Sequence, residues 1–132
     1  MTVNAKVSGT NDDRYVVELR AGHHALVADE PEALGGTDSG PAPFALVVSG
    51  LAACTAITLR MYAERKGWPL ETTRVALTMT TDDDDGQQIE RVLTLEGDLD
   101  DEQRTRLLAI AEKTPVTRLL KRAVTLKTRL TA

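Results

Sequence analysis

The sequence contains one cysteine, Cys54, and thiols are the side chains best suited to nucleophilic and redox chemistry. One cysteine forms neither an intramolecular disulfide nor a multi-cysteine zinc site, which excludes disulfide-stapled and cysteine-based zinc domains. Free cysteine is also among the residue types most often buried as an inert core residue. The residues alone leave both interpretations of Cys54 open, and composition favours the inert one.

A reactive cysteine needs a nearby cation to lower its pKa. Cys54 lies about 16 Å from the start of its predicted helix at 1.5 Å per residue, so the helix dipole contributes little. Arg91 alternates in phase with the apolar residues of its predicted strand, where a charge is costly without a partner. It is one candidate cation for the thiolate, and Arg14 and Arg20 are others. Pairing of Arg91 with Glu90, Glu96 or another carboxylate is an equally good interpretation.

Two further clusters suggest metal sites, and neither has a convincing ligand set. His23 and His24, if both lie in a strand, point to opposite faces and would not chelate one ion. His24 is a candidate for a polar contact, with Asp29 and Glu30 nearby, and a structural hydrogen bond is favoured over a metal ligand. The acidic run at residues 82–85 lacks the alternating ligands of a calcium loop and predicts a solvated hairpin tip. We therefore predict no metal and no bound cofactor.

The predicted elements form an α+β fold with antiparallel sheets in the order βββ–α–ββ–α–β, in a single domain over residues 1–132. The predicted strands are residues 3–8, 14–20 and 24–29, then 73–81 and 88–97, and finally 124–131. A loop rich in Gly, Pro and Asp covers residues 30–42, and a loop of this length is often functional. A helix starts near Pro41 or Pro43 and ends at Gly67, another covers residues 101–113, and a short helical segment reaches Arg122.

The long helix is apolar on nearly every side from Phe44 to Leu59, which predicts that it is buried all round. A chain of 132 residues can barely cover such a helix alone, so we expect a homodimer. Its length and its Thr and Gly residues argue against a membrane span. The net charge of −4 argues against nucleic acid as a partner. The first residues show no apolar signal region, so we expect a cytoplasmic protein.

Several segments, taken in order, resemble the OsmC/Ohr family and its OsmC-like branch. They cover nearly the whole chain: Asp29-Glu30-Pro31, Gly35-Gly36, Gly40 to Pro43, Leu51 to Gly67, Ile89 to Asp100, and Arg106 to Val116. The resemblance implies an intertwined homodimer with long helices buried between two sheets and active sites at the subunit interface. It also implies reduction of organic hydroperoxides and peroxide by two cysteines, the first becoming a sulfenic acid that the second resolves as a disulfide.

Cys54 matches the family's first cysteine, and Arg91 matches an arginine common in this branch. The second, resolving cysteine is replaced by Thr114, and the glutamate near the start of the central helix is replaced by Ala45. The resemblance therefore predicts a one-cysteine hydroperoxide reductase, with Cys54 and Arg91 as catalytic residues and an external thiol as reductant. The alternatives are a catalytically degenerate dimer that binds a small apolar or thiol-bearing ligand, and a structural dimer in which Cys54 fills the core.

Overall fold

The computed structural model describes residues 1–82, 84 and 86–131. The chain divides into two compact units, Met1–Val47 and Val48–Ala132. The order of strands and helices is βββ–α–ββ–α–α, with short 3-10 turns in the N-terminal unit. Both sheets are antiparallel, which confirms the predicted α+β class. The assignment of residues 1–132 to a single domain stays a prediction.

The N-terminal unit is built on a three-stranded sheet in the order β1-β2-β3. The strands are β1 (Ala5–Gly9), β2 (Val17–Ala21) and β3 (His24–Ala28). Gly22, with φ of +62°, supplies the left-handed residue that the tight turn between β2 and β3 requires. The second strand starts three residues later than predicted because the chain turns at Arg14, whose φ is +57°.

The loop after β3 is ordered by the buried carboxylate of Asp29, which is 2% exposed. Its Oδ1 accepts from the Glu30 amide at 2.7 Å. Its Oδ2 accepts from the Thr37 amide at 3.1 Å, the Thr37 hydroxyl at 2.7 Å and the Ser39 amide at 3.0 Å. These bonds, led by the one from Ser39, lower the pKa of Asp29 to about 2. At Gly36 a Cβ would lie 1.9 Å from the Glu30 carbonyl oxygen, so the tight loop requires glycine there.

The central helix, α1 (Pro43–Lys66), buries one face in this chain rather than all of its surface. Gly67, with φ of +69°, follows its last residue, as predicted. The buried residues recur at helical spacing: Leu51, Thr55, Leu59, Tyr62 and Ala63. Ile57 and Met61 on other faces are 54% and 65% exposed. By length and composition α1 could cross a membrane, a test that the core helix of a soluble protein also passes.

The C-terminal unit has one apolar cluster, formed where α1 meets the following strand and helix. It comprises Leu59, Tyr62, Ala63, Leu70, Leu99, Leu107 and Ala111. Two arginines bind backbone carbonyls at its edge. Arg60 donates to the carbonyls of Leu70 and Glu71. Arg104 donates to the carbonyls of Leu95, Gly97 and Leu99. These bonds satisfy carbonyls where the sheet ladder ends.

A long antiparallel hairpin forms the sheet of this unit. It consists of β4 (Leu70–Asp82) and β5 (Gly86–Gly97), with Leu77 opposite Arg91. Odd-numbered residues of β5 are less exposed than even-numbered ones, which confirms that Arg91 shares its face with apolar residues. The predicted solvated tip at 82–85 includes residues 83 and 85, which lie outside the described residues.

Two short helices follow. The first, α2 (Asp101–Ala111), starts with a capping box: the Gln103 amide donates to the Asp100 carboxylate at 2.7 Å, and the Asp100 amide donates to the Gln103 side chain at 3.0 Å. The second, α3 (Pro115–Lys121), starts after Thr114 and has proline in its first turn, where its missing N–H costs no hydrogen bond.

The strand predicted for residues 124–131 is wrong for this chain. Residues 123–131 have no regular secondary structure, and the side chains of Leu126 and Leu130 are 89% and 94% exposed. Alternation of apolar and polar residues shows which side chains would share a face, but a strand also needs a neighbour for its backbone groups. No described strand of this chain pairs with the segment.

Replacement of the loop carboxylate, Asp29→Asn, should lower the melting temperature at pH 7, because an amide cannot accept the same four hydrogen bonds. The folded-state pKa of about 2 lies below the ordinary value of 3.8, so ionised Asp29 stabilises the fold above about pH 4 and that contribution is lost as pH falls toward 2. The difference in melting temperature between wild type and Asp29→Asn should therefore decrease as the pH is lowered from about 4 toward 2 in thermal unfolding scans. Asp38→Asn is the control, because Asp38 is exposed and asparagine tolerates its φ of +54°. An equal loss of melting temperature in Asp29→Asn and Asp38→Asn would contradict the role of Asp29 in ordering the loop.

Candidate functional site

Arg91 is the centre of a polar network that joins β5 to all three helices of the C-terminal unit. Its Nη1 donates to the hydroxyl of Thr55 at 2.9 Å and to that of Thr117 at 3.0 Å. Its Nη2 lies 3.4 Å from Glu112 Oε1. The arginine side chain is 11% exposed. These partners compensate for placing a guanidinium on the apolar face of a strand.

The carboxylate partner of Arg91 is one that the sequence pattern did not single out. Glu112 is the C-cap residue of α2, 21 positions along the chain from Arg91. Of the two glutamates on β5 considered as alternatives, Glu96 pairs with Arg74 across the hairpin. Glu90 lies on the more exposed face of the strand, away from the face that carries Arg91.

Thr114, at the position of the second cysteine, has a structural role. Its fully buried side chain caps α3 by accepting from the Thr117 amide at 3.3 Å. The two threonine hydroxyls lie 2.6 Å apart, and Thr117 also donates to the Ala111 carbonyl at 3.2 Å. Because that bond uses the Thr117 hydroxyl proton, Thr114 donates to Thr117, which also accepts from Arg91. Thr114 is thus linked to Arg91 through one hydroxyl.

Cys54 lies beside this network, at the margin of the buried face of α1. The next residue, Thr55, is fully buried, donates to the Leu51 carbonyl at 2.7 Å and accepts from Arg91. Cys54 is about 100° around the helix from Thr55 and is partly exposed. Its Sγ lies 3.9 Å from the hydroxyl of Thr58. A partly exposed thiol at this position differs from a core-filling cysteine, which would be enclosed.

The charge around Arg91 is positive overall. Glu112 is shared between Arg91 and Lys121, whose Nζ lies 2.8 Å from Glu112 Oε2. The hydrogen bond from Lys121, followed by the charges of Lys121 and Arg91, lowers the pKa of Glu112. The carboxylate is therefore ionised at neutral pH, and one negative charge faces two positive ones.

A cavity of about 360 Å³ opens next to the network. Its polar lining consists of Gln87, Arg91, Glu112, Thr117 and Lys121, and its apolar lining of Leu51, Ile89 and Leu120. Leu51 is three residues before Cys54, a spacing that makes side chains neighbours on a helix. The cavity therefore adjoins the turn of α1 that carries the thiol.

A second cavity, of about 900 Å³, contains none of the predicted site residues. It lies at the C-terminal end of α1, where Tyr62 and Trp68 stack edge to face with centroids 5.5 Å apart. Arg106 Nε donates to the Tyr62 hydroxyl at 3.0 Å, and this bond, with the positive charge of Arg106, lowers the pKa of Tyr62.

The candidate residues of the N-terminal unit have other roles. Asp29 uses both carboxylate oxygens within its own loop, and the Glu30 backbone binds Asp29 and the Asp38 amide. His24 is an exposed residue at the start of β3. The condition under which His23 and His24 would diverge is not met, because His23 belongs to the turn rather than to a strand; their ring centroids lie 4.1 Å apart.

The part of the chain that the structure describes contains no group of three or more His, Cys, Asp or Glu side chains that could hold a metal ion. The other two candidate arginines lie in the N-terminal unit. Arg14 places its guanidinium 5.3 Å from the centroid of the Tyr15 ring, and Arg20 is an exposed residue of β2. Arg91 is the candidate cation that belongs to the same unit as Cys54.

Sequence reasoning missed Thr55, Thr117, Glu112 and Lys121 as members of the network. A threonine inside an apolar helix, next to the single cysteine, was a usable signal for Thr55, because its hydroxyl must find a partner when buried. The three-residue spacing from Thr114 to Thr117 around a proline is typical of a helix N-terminus. Nothing in the local pattern of Glu112 or Lys121 indicates that they meet near Arg91.

Thr117→Val should lower the free energy of unfolding by about 1–3 kcal/mol, because it leaves an Arg91 donor and the Thr114 hydroxyl without their buried partner. Chemical denaturation followed by circular dichroism measures the change. Thr105→Val makes the same replacement at an exposed position of α2 and should cost well under 1 kcal/mol. Equal stability of the two variants would show that the network contributes nothing to folding.

The chain is similar to a known protein family and to several proteins of solved structure. Residues 36–129 match the model of a family described as OsmC-like protein. An OsmC-like protein from Mycoplasma pneumoniae is 17% identical, with a TM-score of 0.77 over 92% of this chain and 88% of that one. An organic hydroperoxide resistance protein OsmC from Legionella pneumophila is 25% identical, with a TM-score of 0.66 over 92% and 90%.

The organic hydroperoxide resistance protein OhrB of Bacillus subtilis is 22% identical, with a TM-score of 0.62 over 92% of this chain and 91% of that one. No curated protein sequence matches the chain. The family match covers more than half of the chain, including α1 with Cys54, the strand with Arg91 and the position of Thr114. The chain therefore belongs to the OsmC-like protein family.

Proposed function

We propose that this protein reduces organic hydroperoxides and peroxide through the single thiol of Cys54, as part of oxidative-stress defence. The observation that carries the proposal is the position of Cys54: a partly exposed thiol one residue from Thr55, which binds the buried guanidinium of Arg91. Structural neighbours named as organic hydroperoxide resistance proteins support the same chemistry. A lone cysteine without a disulfide also suits the reducing cytoplasm, where we place the reaction.

In the first step the Cys54 thiolate attacks the peroxide. A bond forms between Sγ and the terminal peroxide oxygen as the O–O bond breaks, and the alkoxide leaves with a proton as the alcohol. Cys54 becomes a sulfenic acid, oxidised by two electrons. We assign Arg91 to this step because it donates to Thr55, the residue next to Cys54, and positive charge near a thiol favours thiolate over thiol.

The second step needs a thiol from outside the chain, because Thr114 stands where a second cysteine would act. A reductant thiol attacks the sulfenic sulfur, forms a mixed disulfide and expels water. A second reductant thiol attacks that disulfide, which releases the Cys54 thiolate and a symmetrical disulfide. The two reductant thiols supply the two electrons, and the cycle requires no metal and no bound cofactor.

Cys54→Ser should abolish hydroperoxide consumption in the presence of excess dithiol, because serine cannot be oxidised to a sulfenic acid. Consumption of cumene hydroperoxide by the purified protein measures the effect. Mass spectrometry of the wild type after one equivalent of hydroperoxide should show one added oxygen, trapped by dimedone on Cys54.

Met61→Leu is the matched control, because it removes the other sulfur side chain of α1 and keeps an apolar side chain of similar size. It should consume hydroperoxide at the wild-type rate. Undiminished turnover by Cys54→Ser would refute the proposal. A wild type with no turnover would instead favour the alternative function, binding of a small apolar or thiol-bearing ligand in the 360 Å³ cavity without catalysis.

We also propose that the protein is a homodimer in which a second copy covers the exposed side of α1. The helix is apolar over most of its length, yet 17% of its most apolar 18-residue window is buried in one chain. Ile57 at 54% and Met61 at 65% exposure are the kind of large apolar side chains that obligate dimers bury.

Sedimentation velocity should give twice the mass of one chain for the wild type. Ile57→Glu should shift the population toward monomer, because it places a charge in an apolar interface. Leu108→Glu makes a similar change at a 57% exposed position of α2 and should leave the dimer intact. A wild type that sediments as a monomer at micromolar concentration would disprove the dimer.

A further inference from the structure

The cavity beside Arg91 combines features of a ligand site that the proposed reaction leaves unused. Its volume of about 360 Å³ lies at the small end of the range for small-molecule sites. One side is apolar, formed by Leu51, Ile89 and Leu120. The other side carries Arg91 and Lys121 against the single carboxylate of Glu112, so it favours an anion.

We infer that this cavity binds the carboxylate of the external thiol that regenerates Cys54, so that the physiological reductant is a small thiol carrying a carboxylate. The inference rests on the proposed one-cysteine cycle and adds the chemical class of its second substrate. Arginine is the side chain best shaped for carboxylate, and Arg91 is held in place by two threonine hydroxyls.

The lining of the cavity offers a separate place for the carboxylate and for the rest of such a ligand. A carboxylate bound at Arg91 and Lys121 leaves the rest of the molecule along the apolar side, where Leu51 is one helical turn before Cys54. Cys54 lies outside the cavity lining, so the small molecule must extend past Leu51 to bring its thiol to the sulfenic acid. The volume suits a small thiol, whereas a folded protein could insert no more than a side chain.

Glu112 is the residue that such a carboxylate must displace. Its contact with Arg91 is long, at 3.4 Å, while its contact with Lys121 is 2.8 Å, so it can leave Arg91 and keep Lys121. Arg91 can then bind the ligand without becoming an unpaired buried charge. Glu112 therefore acts as a selectivity residue. A thiol with a carboxylate can take the place of Glu112 at Arg91, whereas a neutral thiol has no group that could do so.

The test measures the rate of thiol–disulfide exchange at Cys54. This rate reports on charge in the cavity and requires no peroxide. The probes are the anionic disulfide 5,5′-dithiobis(2-nitrobenzoate) and the neutral disulfide 4,4′-dithiodipyridine, and the readout is the ratio of their second-order rate constants. In low salt, Lys121→Gln should lower the anionic-to-neutral ratio about threefold and Glu112→Gln should raise it by a similar factor, as expected for one unit charge at close range. Salt near 1 M should reduce both effects.

Lys113→Gln is the control, because it removes the same charge from an exposed residue next to Glu112 that does not line the cavity. It should leave the ratio unchanged. In the peroxidase assay, mercaptosuccinate should outperform 2-mercaptoethanol as reductant for wild type, and Lys121→Gln should remove that advantage.

Three outcomes separate this inference from the proposed function. If hydroperoxide is consumed but Lys121→Gln and Glu112→Gln leave the probe ratio unchanged, the carboxylate site is refuted and the peroxidase stands. If the ratio shifts as expected but no hydroperoxide is consumed, the reductant role is refuted although the anion site exists. If Lys113→Gln shifts the ratio as much as Lys121→Gln, overall charge rather than the cavity sets the preference, and the inference fails.

Discussion

The burial of Arg91 is the constraint on which the C-terminal unit depends. An arginine side chain that is 11% exposed must keep its charge and satisfy its donors, and the three helices around the hairpin each supply an acceptor. Thr55 comes from α1, Thr117 from α3 and Glu112 from the end of α2. One side chain thereby links the thiol-bearing helix to the start of α3.

The same interaction explains why Cys54 lies at the edge of the buried face rather than within it. Thr55 occupies the buried position and binds Arg91, and its neighbour Cys54 is rotated about 100° toward the margin. A cysteine at position 55 would be enclosed and would replace a hydroxyl acceptor that Arg91 uses. A thiol at position 54 instead neighbours the residue that binds Arg91, takes no part in the network and stays partly exposed.

Local patterns predicted most of the secondary structure, since each such element follows from nearby residues. The capping box of Asp100 and Gln103, the end of α1 at Gly67 and the phase of Arg91 on its strand all follow from short-range rules. The terminal strand was wrong because alternation carries no information about a pairing partner. The Arg91 network was only half predicted: the need for a partner was evident, but Glu112 is 21 positions away and is brought near by tertiary packing.

Thr114 stands at the position where the sequence resemblance places the family's second cysteine, and its hydroxyl does what a thiol would do poorly there. A cysteine at the start of α3 would offer a weak acceptor, whereas the threonine hydroxyl caps the helix and donates to Thr117, which in turn accepts from Arg91. Thr114 is in this way part of the support for the arginine, beside a cavity that Arg91 and Lys121 line. In the proposed one-cysteine cycle, recognition of the reducing thiol would fall to that cavity and to the balance of charge among Arg91, Lys121 and Glu112.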